Sequence, residues 1–217
     1  MPVAEIPSII LLFACLFVGP ALTAQSPPEV LTPIEIDTAY IREYNNVEEM
    51  MAAETYDCFQ AMNTLDGYVA WGHQLGVKKW NKWYVWDQPE LLSGINRHCD
   101  TELLWGELKD VNQSGQPELI LRYLAKGYGN RGGTEEEYLQ IWDTDAKALI
   151  FEGLVKDHFF WFSTKDGEEI CQREVSYEAG VINVGRFNCS EGTEHKRYVK
   201  DSVDIRYTLV EGQFRRN

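Results

Sequence analysis

From Leu103 onward the chain reads as short apolar runs cut by turn chemistry. LLWGEL, ELILRYL, YLQIWD, ALIFEGL, HFFWFS, EICQREVSY, VINVGRF and VDIRYTL follow one another, and the turn-forming stretches between them include DVNQSGQ, TDAK, TKDGE and EAG. In the last run Val203, Ile205, Tyr207 and Leu209 alternate with polar residues, which is the period of a half-buried strand. Connections this short force antiparallel neighbours, because a parallel return needs a dozen or more residues. The pattern therefore predicts a mainly β (α+β) fold, an antiparallel meander shaped as an open barrel or partial propeller.

Nearer the start the period changes. After Asp37, a suitable N-cap, apolar or small side chains recur at Tyr40, Tyr44, Val47, Met51, Cys58 and Met62. Spacings of three and four predict an N-terminal helix, in one piece or two, ending near Gly67. An aromatic cluster follows in KKWNKWYVWDQPELL. Trp80, Trp83 and Trp86 could form a platform for a sugar or another small ligand. The competing reading is a strand packed on both sides, with Trp83 and Val85 on one face and Tyr84 and Trp86 on the other.

Residues 1–24 carry the run IPSIILLFACLFVG, then a proline and the small-residue exit ALTA, the layout of a cleavable secretory signal peptide. Residues 25–36, QSPPEVLTPIEI, are Pro-rich and read as an extended leader. Residues 37–217 are then expected to form a single β-rich domain, periplasmic or secreted, with no membrane attachment once the signal is removed. Thirty-four acidic against 20 basic residues give a net charge of −14. That balance argues against nucleic acid and anionic membranes as partners and favours a basic protein.

Of the five cysteines, Cys15 lies in the signal, leaving Cys58, Cys99, Cys171 and Cys189. An even number in an exported chain suggests two disulfides. A hairpin folded about Glu178-Ala179-Gly180 sets Cys171 opposite Cys189 and Glu174 opposite Arg186. Cys58 is left to pair with Cys99. None has CxxC spacing, so zinc and thiol redox chemistry are not expected.

The loop DVNQSGQPE carries oxygen-bearing side chains at Asp110, Asn112, Ser114 and Glu118, with Gly115 for the sharp turn and the Gln116 carbonyl between. Calcium takes six to eight hard oxygen ligands, and alternate residues of a curled loop can point at one ion. Leu121 stands where an EF-hand has its bidentate Glu, and strands replace the flanking helices. The alternative is an Asx-type turn in which Asp110 and Asn112 bond nearby backbone N–H groups. Asn112-Gln-Ser and Asn188-Cys-Ser are also glycosylation sequons, and a glycan on Asn112 excludes ion ligation there.

GYGNRG, Gly127 to Gly132, matches GxGxxG, but Glu135-Glu136-Glu137 and a strand follow where a nucleotide site needs a helix N-terminus. It reads instead as an exposed loop that docks a partner through Tyr128, Asn130 and Arg131. No GxSxG or HExxH motif occurs, and His73, His98, His158 and His195 lack ligand spacing. No catalytic residues are expected, and a carboxylate hydrolase would need two acids brought together in one cleft.

The segment from Trp105 to Phe151 combines the DVNQSGQPE hairpin, the Gly-rich loop and the aromatic strand YLQIWD. It resembles exported bacterial proteins with a single FG-GAP-like calcium hairpin, some of them lysozyme inhibitors or immunity proteins. The resemblance implies a structural Ca2+ held by Asp110, Asn112, Ser114, Gln116 and Glu118. It also implies a non-enzymatic binding or inhibitor domain whose partner is a basic, lysozyme-like hydrolase.

Overall fold

A strand that carries Leu119, Ile120 and Leu121 in succession has no side left for water, and all three are buried. Such a strand needs cover on both faces, and the fold is built around providing it. The structure, a computed structural model, describes residues 28–54, 63–65, 67–71, 74–87, 101–130, 132–161, 168–190 and 203–217. In chain order the strands are β1 (Val30–Leu31), β2 (Ile34–Glu35), β3 (Arg42–Tyr44), β4 (Asn63–Leu65), β5 (Tyr68–Trp71), β6 (Gln74–Lys79), β7 (Lys82–Asp87), β8 (Thr101–Lys109) and β9 (Glu118–Tyr128). They continue with β10 (Gly132–Asp143), β11 (Ala148–Trp161), β12 (Glu168–Gln172), β13 (Val175–Glu178), β14 (Val181–Val184), β15 (Asn188–Cys189), β16 (Ile205–Val210) and β17 (Gln213–Arg216).

Among the described residues the pairings are antiparallel and fall into three sheets. The central sheet runs β15-β12-β11-β10-β9-β8, with β2 on the side of β11. On one of its faces Ile120, Leu139, Ile141 and Phe151 pack against Ile182, Ile205, Tyr207 and Phe214 of the sheet β1-β17-β16-β14-β13. On the other, Leu119, Leu121, Trp142 and Leu149 pack against Leu75, Val77 and Trp86 of the sheet β3-β7-β6-β5-β4. The molecule is thus mainly β, three antiparallel layers in contact, and no barrel closes among the described residues. Register irregularities at Glu137/Tyr138 and Ile141/Trp142 break the long β10–β11 ladder. Such bulges bend and twist strands of this length.

Among the described residues the expected N-terminal helix is reduced to one α-helix, α1 (Val47–Ala53), capped by the Asn46 side chain on Glu49 N, and residues 55–62, which carry Cys58 and Met62, lie outside the described residues. Asp37 does cap, its carboxylate accepting from Ala39 N, but only a 3-10 turn at Thr38–Tyr40. The chain then extends so that Arg42–Tyr44 pairs with Trp83–Val85. Strand pairing overrides the apparent helical period, and Tyr40 is left 67% exposed. A buried polar hub ties α1 to this sheet. Glu54 accepts from Arg42 Nε at 2.5 Å, Tyr44 Oη at 2.5 Å and Gln74 Nε2 at 3.0 Å. Burial, with the Glu54 carboxylate beside it, pushes the Tyr44 hydroxyl up to about 12.

The Pro-rich leader is extended and paired. Val30 and Leu31 lie opposite Arg215 and Phe214, and Ile34 and Glu35 lie opposite Leu149 and Ala148. One short segment therefore straps two sheets together. The hairpin about residue 180 does the same elsewhere: its inner half, β13 and β14, belongs to the outer sheet, and its outer half, β12 and β15, to the central one. Cys171 stands opposite Cys189 and is disulfide-bonded to it, as the sequence predicts. The expected Glu174–Arg186 pair does not form, because Glu174 O accepts from Gly185 N. One extra residue between Gly185 and Asn188 restores the register by the time the cysteines meet. Cys58, Cys99 and the signal segment lie outside the described residues.

Candidate functional site

Loop 110–118 joins β8 to β9, and its oxygens turn inward onto its own backbone. Asp110 accepts from Ser114 N at 3.0 Å and Gly115 N at 3.1 Å, one on each carboxylate oxygen. Asn112 Oδ1 accepts from Ser114 N at 2.8 Å, and Ser114 Oγ bonds both the N–H and the carbonyl of Gln116. Glu118, only 2% exposed, accepts on Oε2 from Val111 N at 2.7 Å and Asn112 N at 3.0 Å. Burial raises the Glu118 carboxyl above its ordinary range. The two N–H donors pull the other way, and the charges of Asp143 and Asp110 add to the rise.

These bonds make the Asx-type turn the sequence allows. The donor set fits calcium in kind, two carboxylates with an amide, a hydroxyl and a carbonyl oxygen. Among the described residues no group of three or more His, Cys, Asp or Glu could hold a metal. The loop also docks on the outer sheet. Val111 is fully buried, its carbonyl accepts from Gly180 N at 2.6 Å, and Gly180 O in turn accepts from Leu209 N. Gly180 holds φ at +75°, a conformation side-chain-bearing residues rarely adopt, and the Gln113 amide lies beside it.

The Gly-rich loop stands at the other end of β9. Eleven strand residues at about 3.3 Å each separate the two loops by roughly 33 Å. Loop 110–118 thus lies at the far pole from the glycine loop, where it clips two sheets together. At the tip Gly129 N donates to Gly132 O at 2.8 Å, and Gly132 leads straight into a strand, not a helix. Tyr128 is 55% exposed and Asn130 is exposed, while Arg131 lies outside the described residues. The tyrosine ring leans on Phe160 at 6.1 Å, and its hydroxyl donates to Glu135 at 3.3 Å. On the neighbouring positions Glu102 pairs with Lys126, and His158 lies between Glu135 and Glu168. Gly133 is needed here, since a Cβ would lie 2.7 Å from the Tyr128 ring and 2.8 Å from that of Phe160.

The aromatic cluster does not make a platform. Trp83 and Val85 pack with Met50 and Val69 on one face of β7, whereas Trp86 and Tyr84 pack toward the central sheet. This is the alternation of a strand covered on both sides. Trp80 alone is exposed, at 93%, on the two-residue turn it forms with Asn81.

Sequence reasoning missed a polar ladder on the face of the central sheet turned to β6 and β7. Trp142 Nε1 donates to Gln140 Oε1 at 2.9 Å, and Gln140 Nε2 donates to Glu152 Oε2 at 2.8 Å. Further along, Tyr138 Oη donates to Glu136 at 2.5 Å, and register sets Glu136 against Asp157. Both acids are buried, at 5% and 3% exposure. Alternation at Glu136, Tyr138, Gln140 and Trp142 was a signal for a shared face; only the pairing of β10 with β11 shows what lies beside it. Of the four histidines, His158 alone is described.

The chain matches no protein-family model, no curated protein and no solved structure. The FG-GAP-like likeness therefore rests on the residues of the loop and the strands that flank it.

Proposed function

We propose that this chain is a non-enzymatic exported binding domain of the inhibitor or immunity type, and that the β9–β10 tip is its docking edge. The observation that carries the reading is Tyr128, a large ring left 55% exposed at a hairpin tip with its hydroxyl on Glu135. Interface hot spots are enriched in such tyrosines, and an acidic surround steers and orients a cationic partner. The net charge of −14 extends that attraction over the whole molecule. A basic peptidoglycan hydrolase of the lysozyme class has the matching charge. Export to the periplasm or medium is supported by the Cys171–Cys189 bond, which persists in oxidising compartments. Among the described residues no helix is long and apolar enough to cross a membrane.

In this reading loop 110–118 is structural. Any calcium it takes is held by Asp110, Asn112, Ser114, the Gln116 carbonyl and Glu118, with a Kd of about 10⁻⁴ to 10⁻³ M. Only two of those ligands are carboxylates.

The test is inhibition of a basic lysozyme by purified chain lacking residues 1–24. Inhibition is expected to weaken as salt rises from 50 to 500 mM in the assay, roughly tenfold or more, by screening. Tyr128→Ala is expected to weaken binding by about 30-fold, as for a hot-spot residue worth ~2 kcal/mol. Absence of binding to any basic hydrolase, or wild-type affinity in Tyr128→Ala, refutes the reading.

A further inference from the structure

Between the central sheet and the outer sheet carrying β13 lies a cavity of about 480 Å³. Three cations line it, Arg122 from β9, Lys156 from β11 and Arg173 from the crossover between β12 and β13. In a chain with 34 acidic and 20 basic residues, three cations converge on this one cavity, with Glu137 pairing two of them and Glu107 bonded to the lining Tyr177. Glu174 is the one acid among the described residues of the lining.

The cations are held in place from behind. Glu137, 14% exposed, takes Arg122 on one carboxylate oxygen, at 2.6 Å from Nη2 and 3.1 Å from Nε, and Lys156 on the other at 3.3 Å. Arg173 donates from Nε to Leu154 O at 2.5 Å, and its guanidinium lies 4.4 Å from the centre of the Phe187 ring. One internal carboxylate thus already bridges two of the cations, one oxygen to each, which shows the group their spacing suits. The walls add Trp105 and Tyr177, half-buried rings, and the amide side chains of Gln172 and Asn188. A few polar groups converging in a concavity of several hundred Å³ with aromatic walls is the composition of a small-ligand site.

We propose that this cavity binds a small ring-bearing carboxylic acid of the sugar-acid type. The carboxylate meets Lys156 and the two arginines, the ring lies between Trp105 and Tyr177, and hydroxyls reach the amides of Gln172 and Asn188. Arginine and lysine contribute differently: the planar forks fix the carboxylate's orientation, and the ammonium adds a point charge. Glu137 competes with the ligand for the same two cations and so sets the affinity low. This site lies on a different part of the fold from the Tyr128 tip and stands or falls independently of it.

The experiment is calorimetry of the full mature chain with glucuronate, with glucose and inorganic phosphate as the uncharged and ring-free probes. Glucuronate is expected to bind in the millimolar range, at least tenfold tighter than either control. Lys156→Gln, a substitution at a part-exposed side chain, should weaken glucuronate at least fivefold. Glu137→Gln should tighten it about tenfold by releasing Arg122 and Lys156, with a thermal melt of each free variant verifying its fold. Equal binding of glucose or phosphate, no binding of glucuronate, or a shift in the same direction for both variants overturns the proposal.

Discussion

At one end of β9 the 110–118 loop turns its oxygens onto its own backbone, and at the other the 128–132 tip turns a tyrosine ring outward. Both are polar connections between long strands, and both contain glycine. In the first, Asp110, Asn112, Ser114 and Glu118 between them bond five of the loop's own N–H groups, and Val111 is driven into the core. In the second, Gly129 N donates to Gly132 O across the tip, and the Tyr128 hydroxyl reaches Glu135 on the neighbouring strand. A turn that satisfies itself has spent its polar groups on stability. One that leaves an aromatic ring outside keeps it for a partner.

The strongest way to break the comparison is at Glu118. Glu118→Ala strands the Val111 and Asn112 N–H groups in a buried setting and is expected to cost about 3 kcal/mol, read by urea denaturation. Glu118→Gln keeps an acceptor for both and removes the buried charge, so it should hold or raise stability at neutral pH. The sign of the pH dependence follows from the raised carboxyl. The native state binds its proton more tightly than the unfolded chain, whose ordinary value is near 4.5. The penalty is therefore full above the raised native value and fades as pH falls toward 4.5. The advantage of Glu118→Gln over wild type should shrink over that window, and an advantage that grows on acidification contradicts the assignment.

Gly180→Ala probes the docking of the same loop from the other side. The positive φ opposes a Cβ, while the flexible Gln113 amide can move aside, and a loss of about 1–2 kcal/mol is expected. Tyr128→Ala should show the smallest effect of all, within about 0.5 kcal/mol of wild type in the same denaturation experiment. A large loss there would place Tyr128 among the packing residues and remove the contrast between the two turns.

Much of this was legible from the pattern of the chain. The alternation in VDIRYTL gave β16, the Ala179-Gly180 turn gave the β13–β14 hairpin, and the fold about it led to the disulfide. What failed did so where tertiary pairing decides. ALIFEGL and HFFWFS, read as two strands, are one strand of 14 residues with no turn between them. EICQREVSY, read as one, divides between two sheets at Arg173–Glu174. The tyrosines at 40 and 44 fit a helical period, yet Tyr44 lies opposite Trp83 in a sheet that local spacing could not announce. For the site, the loop's oxygen spacing was visible, but not whether those oxygens would face an ion or the backbone. The cationic cavity was invisible, because Arg122, Lys156 and Arg173 come from three separate segments.

The pairing of Val30 and Leu31 with Phe214 and Arg215 has a consequence for the order in which the molecule assembles. Of the described strands a ribosome delivers β1 first and β17 last, so this edge of the outer sheet stays open until the strands between them have been made. Contacts so distant in sequence also close slowly. The central sheet, whose long strands follow one another directly, can form while the leader waits. Completion of the molecule is then a clasp, fastened last, that joins the two ends of the described chain.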